Sequence, residues 1–197
     1  MAVSVGIQEL NGIGGSETYT DLTSARYCTI DSAAPGTNNA IPIPTAGYNW
    51  SYWKTHALYM SGTFTQLDNV RWYTDGTIGW NLGTSGELFV GLCSGTDKGI
   101  WVSNLIGTTH LYNQASGIPG MTGISMVSLA TSGGHPTVSG YAKASTYVVA
   151  SPLQVDSVAH VTSGDRTKAI VTQISCATDA TQGKQTSESV VFRYDEI

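Results

Sequence analysis

The residues with chemical potential in this chain are four histidines (His56, His110, His135 and His160), three cysteines (Cys28, Cys93 and Cys176) and fourteen acids. A zinc site draws His and Cys ligands at short spacings. No HxH, HExxH, CxxC or CxxH pair occurs, so neither a metal nor a cofactor is expected. A hydrolase needs two convergent carboxylates, or a nucleophile beside a base. Asp68, Asp75, Asp97, Asp165 and Asp179 sit at turn signals, where an Asp side chain bonds its own backbone. Glu9, Glu17, Glu87 and Glu188 share no frame. No GxSxG elbow surrounds any serine. Gly12 to Gly15 (GIGG) lacks the lysine and spacing of a phosphate loop. Asp68, Asn69 and Asp75 could collect a calcium ion, but turn formation is the simpler expectation. The expectation is therefore a protein that is not an enzyme. A hydrolase built from dispersed acids is the reading that paired carboxylates about 5–10 Å apart would revive.

The elements that must carry these residues read as strands. Tyr48 to Trp80 holds four of the five tryptophans, Trp50, Trp53, Trp72 and Trp80. Large aromatics bury about 150–250 Å² each, so this stretch is the expected centre of the fold. Trp50 to Met60 reads as a central strand, with Trp50, Tyr52, Leu58 and Met60 on one face and Lys54 and His56 between them. A turn is expected at Asp68-Asn69, a strand over Val70 to Tyr73, and a turn at Asp75-Gly76. Trp50, Trp53 and Trp72 are expected in the core. Trp80 and Trp101 flank loops and are expected at the surface.

Val3, Val5 and Ile7 alternate with small residues in a short strand. With Gly12 to Ser16 beyond it, residues 1–16 form a candidate N-terminal arm. Thr18 to Thr23 and Arg26 to Ile30 are further strand candidates. Pro42 and Pro44 place that segment at an edge. Glu87 to Cys93 is a strand with Leu88, Val90 and Leu92 facing together. Residues 103–140 read as long Gly-rich loops, with a helical turn near Ser103 to Gly107. Ser145 to Ala150, Leu153 to Val161, Thr167 to Cys176 and Glu188 to Tyr194 are the last strands.

Charged residues make up only 12% of the chain, and 23 of its 197 residues are glycine. Short strands separated by turn signals predict an all-β fold. The predicted architecture is an antiparallel β-sandwich, jelly-roll-like, in one domain over 1–197, with long Gly-rich loops and little helix. The net charge is −5 and the nine Lys and Arg are scattered, so no nucleic-acid partner is expected. No apolar run nears the ~20 residues that span a bilayer, so no membrane partner is expected either. MAVSVGIQEL lacks the pattern of a secretory leader, which predicts synthesis in a cytoplasm and reduced, buried thiols.

The run WKTHALYMSGTFTQLDNVRWYTDG, Trp53 to Gly76, resembles a segment of small structural proteins of tailed phages. The closing FRYDEI, Phe192 to Ile197, resembles their terminal strand. The resemblance implies a virion β-sandwich, a capsid decoration or head-associated protein, with no catalytic residues. Its partners would be a major capsid protein or other virion proteins and further copies of itself. The expected contacts are Val3, Val5, Ile7, Trp80 and Trp101, through strand addition and the arm. The alternative is a glycan-binding module that stacks sugars on Trp80 or Trp101.

Overall fold

The computed structural model describes residues 3–11, 18–30, 32–52, 54–93 and 138–197, with backbone alone at 93 and 138–141. Two antiparallel sheets pack face to face. The larger uses β1 (Ser4–Asn11), β2 (Thr18–Leu22), β3 (Tyr48–Trp50), β4 (Lys54–Ser61), β6 (Glu87–Cys93), β7 (Val138–Lys143) and β9 (Ile170–Ala177). Its order is β2-β1-β4-β9-β6-β7, with β3 also against β9. The smaller sheet is β10-β5-β8, from β10 (Val190–Glu196), β5 (Leu67–Thr74) and β8 (Leu153–Asp156). Two short 3-10 turns, Thr37–Asn39 and Ala144–Thr146, are the helical elements among the described residues. The all-β sandwich expected from the sequence is what forms. The strand order does not by itself establish a jelly roll.

The core lies between the sheets. Leu58, Met60, Leu88, Val90, Ile170 and Ile174 from the larger sheet meet Leu67, Val70, Trp72, Leu153 and Val155 from the smaller. Side chains two apart on a strand share a face. That is why Leu58 and Met60, or Leu88 and Val90, arrive together. Trp72 is fully buried at the centre, edge-on to Tyr147 at 6.4 Å between ring centroids. Its indole Nε1 is buried without a hydrogen-bond partner among the described residues.

Several expected elements form differently. Trp50 to Met60 is two strands, not one. The Ser51 hydroxyl accepts from the Ile174 backbone N–H, and the Ser51 carbonyl accepts from Gln173 Nε2. The Ser51 N–H still donates to the Ile174 carbonyl at 2.9 Å, and the next strand begins at Lys54. Trp50 is only half-buried, tilted against Phe89 at 5.7 Å. Trp53 lies outside the described residues. Asp68-Asn69 is not a turn but part of β5. Asn69 takes a left-handed φ of 55°, and opposite it the β10 register shifts by one residue, the mark of a bulge. Arg26 to Ile30 and Ser145 to Ala150 are not strands. A 3-10 turn and a loop stand at the latter, and β7 begins inside the stretch expected as loops. β8 stops at Asp156, well before Val161. The turn at Asp75-Gly76 forms as expected, with Thr77 N–H donating to Asp75 Oδ1 at 2.8 Å and Gly76 at φ 91°. The helical turn expected near Ser103 to Gly107 and the Gly-rich loops up to 137 lie outside the described residues.

The candidate arm is not free. β1 is laced into the sheet on both sides, Ile7 opposite Leu22 on β2 and Leu58 on β4. Val3, Val5 and Ile7 pack against the core. Alternation gave the strand correctly, but pairing on two edges makes it interior.

Candidate functional site

Three places gather polar side chains with chemical potential. The first lies where the inner face of the larger sheet turns from apolar to ionic. Glu9 on β1 stands directly opposite His56 on β4, and Lys54 is two residues from His56 on the same face. Lys54 Nζ donates to Glu9 Oε1 at 2.8 Å, and Asn11 Nδ2 donates to the same oxygen at 2.9 Å. His56 Nε2 lies 3.3 Å from Glu9 Oε2. The Ser32 carbonyl takes a further proton of Lys54. The side chains of Glu9 and Lys54 are wholly inaccessible. Burial alone would raise the Glu9 carboxyl, but the His56 hydrogen bond and the Lys54 charge outweigh it and hold the group below its ordinary value. Beside the cluster, Tyr27 OH donates to Thr172 Oγ1 at 2.9 Å. Burial drives that phenol far up, with the Glu9 charge adding to the effect and the Thr172 bond opposing it.

The second place is His160, fully buried between two carboxylates. Nε2 lies 3.1 Å from Asp156 Oδ2 and Nδ1 lies 2.9 Å from Asp165 Oδ2. Burial would lower the imidazole, yet the hydrogen bonds and charges of Asp156 and Asp165 carry it above its ordinary value. Asp156 is raised by burial but lowered more by His160 and by the backbone N–H groups of Lys168 and Val158. In its protonated form both nitrogens donate, and no lone pair is left for general-base work. Its role is positional. His160 pairs its backbone with Leu67 of the smaller sheet, while the Asp165 carbonyl accepts from Met60 of the larger. The ion cluster therefore ties the segment that joins the sheets.

The third is Arg166, on the outer face. Its guanidinium carbon lies 3.8 Å from the Tyr19 ring centre and 4.9 Å from that of Tyr59. Its Nε donates to Gln8 Oε1, and Gln8 Nε2 donates to Asp21 Oδ1, each at 2.7 Å. Stacking plus a directed hydrogen bond makes this a clasp across β2, β1 and β4.

Among the described residues, no group of three His, Cys, Asp or Glu is placed to hold a metal ion. A shallow concavity lined by Gly47, Tyr48, Thr84 and Asp179 is open to solvent. Asp179 there accepts from Thr84 N–H, 3.0 Å to each carboxylate oxygen, and from the Thr84 hydroxyl. Cys28 and Cys176 are buried and not disulfide-bonded among the described residues, and burial followed by the Asp179 charge raises the Cys176 thiol.

Of the expected contact residues, Val3, Val5 and Ile7 face the core. Trp80 is half-buried, edge-on to Tyr27 at 5.7 Å, with its Nε1 donating to the Thr186 carbonyl at 2.6 Å. It is a pinned ring and not a free-standing platform. Trp101 lies outside the described residues. Exposed large apolar side chains are scattered over Tyr48, Val149, Val158 and Val161, and three more lie at the outer edge of the smaller sheet. Val190 and Val191 on β10 and Ile197 just beyond it are exposed, at 39%, 38% and 70%. Within the named strands β10 pairs only with β5.

The ionic cluster at Glu9 was missed in sequence, although a signal existed. Glu9 shares parity with Val5 and Ile7, and Lys54 and His56 share parity with Leu58 and Met60. Opposite charges at inward positions of two strands mark strands that meet. Comparison with family models, curated proteins and solved structures finds no match to this chain.

Proposed function

We propose that this chain is a non-enzymatic structural protein of a virion, a capsid decoration or head-associated component that binds its own copies and a lattice of major capsid protein. The observation that carries the reading is the outer edge of β10, which no other strand pairs among the described residues. An unpaired strand edge offers backbone donors and acceptors to another chain. This edge also complements itself. Two copies laid antiparallel about Tyr194 would set Arg193 opposite Asp195 and Val191 opposite Ile197, each twice. Opposite charges and apolar pairs directly across a ladder stabilise pairing. Arg193 has no side-chain partner among the described residues, whereas Asp195 Oδ2 already holds Asn69 Nδ2 at 2.6 Å and Arg71 at 3.6 Å, so a second copy's Arg193 would meet a carboxylate already paired on one oxygen. The virion setting rests on the resemblance of Trp53 to Gly76 and Phe192 to Ile197, and a jelly-roll connectivity belongs to the same reading. The buried, mutually satisfied state of the His160 cluster agrees with a passive building block.

Light scattering on a sizing column, with Val191→Lys as control, tests the proposal. A concentration-dependent oligomer that the variant abolishes supports it. Co-sedimentation with purified capsids tests the lattice partner. A strict monomer at high concentration that also ignores capsids overturns both parts.

A further inference from the structure

A lysine, an asparagine amide and a carboxylate meet in a sealed pocket of the larger sheet. Lys54 Nζ and Asn11 Nδ2 both bond to Glu9 Oε1, at 2.8 and 2.9 Å. Leu10 pairs with Thr55 on these strands. One step further along the same register sets Asn11 opposite Lys54. All three residues are buried, at 8% exposure or less. A full ion pair in such a site carries a large desolvation cost. Removing the lysine charge by a covalent bond would relieve it.

We propose that Lys54 and Asn11 become joined by an isopeptide bond within the folded chain, with Glu9 as the catalytic residue. Glu9 carboxylate takes a proton from the Lys54 ammonium through their shared hydrogen bond. The freed amine attacks Asn11 Cγ. A bond forms between Lys54 Nζ and Asn11 Cγ, and the Cγ–Nδ2 bond breaks. Nδ2 gains protons from Nζ, relayed by Glu9, and leaves as ammonium. The sum is alkylammonium plus carboxamide giving secondary amide plus ammonium. Charge balances, nothing is oxidised or reduced, and Glu9 ends as it began. The Ser32 carbonyl positions the amine by holding another of its protons. The reaction needs no external reagent, only the effective concentration that folding creates. It links β1 to β4 and closes the chain between Asn11 and Lys54. It does not depend on the virion reading, and a soluble monomer would form it equally.

Intact mass spectrometry of the purified full-length protein tests this directly. The expected mass is below the sequence mass by one ammonia. Peptide mapping should then show a branched peptide joining Asn11 to Lys54, and a denaturing gel should show faster migration. Glu9→Gln, Lys54→Met and Asn11→Ala should each restore the mass expected for their own sequences. A folded wild-type protein with its full sequence mass overturns the proposal. So does a loss of ammonia confined to Asn11. Asn11 precedes Gly12, and a cyclic imide there would lose the same mass, carry no link to Lys54 and persist in Lys54→Met. If a variant fails to fold, the wild-type mass and peptide map still decide.

Discussion

Replacing His160 by alanine should destabilise the fold by about 3 kcal/mol, and by less as the solution becomes alkaline. Removing one member of a buried charge cluster typically costs about 3–5 kcal/mol, because the partner is left buried and unpaired. Here the stranded group is Asp156, whose side chain is 2% exposed. It keeps the N–H groups of Val158 and Lys168, at 3.0 and 2.8 Å. The Lys168 ammonium lies 3.9 Å away. Those contacts place the cost at the low end, roughly a 100-fold change in the folding equilibrium. The sign with pH follows from the two shifts. The His160 imidazole is raised from 6.5 in the folded protein, so its contribution is complete below that value and fades as pH rises through the raised one. Asp156 is lowered from 3.8, so its contribution is complete above that value and is lost as pH falls through the lowered one. The gap between wild type and His160→Ala is therefore widest between these ordinary values. Urea denaturation at about pH 5.5 and about pH 9 measures it. An equal gap at both, or a gap under about 1 kcal/mol at the acidic point, would refute the account of a charged, clamped imidazole.

Trp72→Phe should cost less than about 1.5 kcal/mol, because the lost indole N–H is a buried donor without a partner among the described residues, whereas Trp72→Ala should cost about 3–5 kcal/mol. Denaturant midpoints compare the two, and a larger loss for Phe would show that the indole nitrogen contributes. Asn69→Ala should lower stability by about 1–2 kcal/mol, with Asn69→Gly near wild type, because φ at this position is 55°. Thermal unfolding reads the ranking. Gly83→Ala should lose about 1–3 kcal/mol, since φ is 89° and the new methyl would stand 2.3 Å from Asp179 Oδ1 and 2.8 Å from Ala177 Cβ. An unchanged melting temperature would mean that the loop relaxes freely. Met60→Ala should cost about 2–5 kcal/mol as a cavity opens between the sheets, measured by the same method.

What the sequence determined on its own was the local grammar. Period-two alternation drew β1, β6, β9 and β10 close to their observed places, because a strand's two faces are written into its order of residues. Asp75-Gly76 announced its turn, because both residues act locally. The aromatic stretch pointed to Trp72, which is buried at the centre, although aliphatic side chains of both sheets make up the rest of the core. What needed tertiary structure was everything settled by a partner distant in sequence. Ser51 ended one strand by bonding Ile174. Asn69 became a bulge, not a turn, because β10 passes beside it. Trp80 was pinned by Tyr27 and Thr186. The arm became an interior strand because β2 and β4 both claimed it. Above all, Glu9, Asn11 and Lys54 look unrelated along the chain. Only the pairing of β1 with β4 puts a carboxylate between an amine and an amide, out of reach of water.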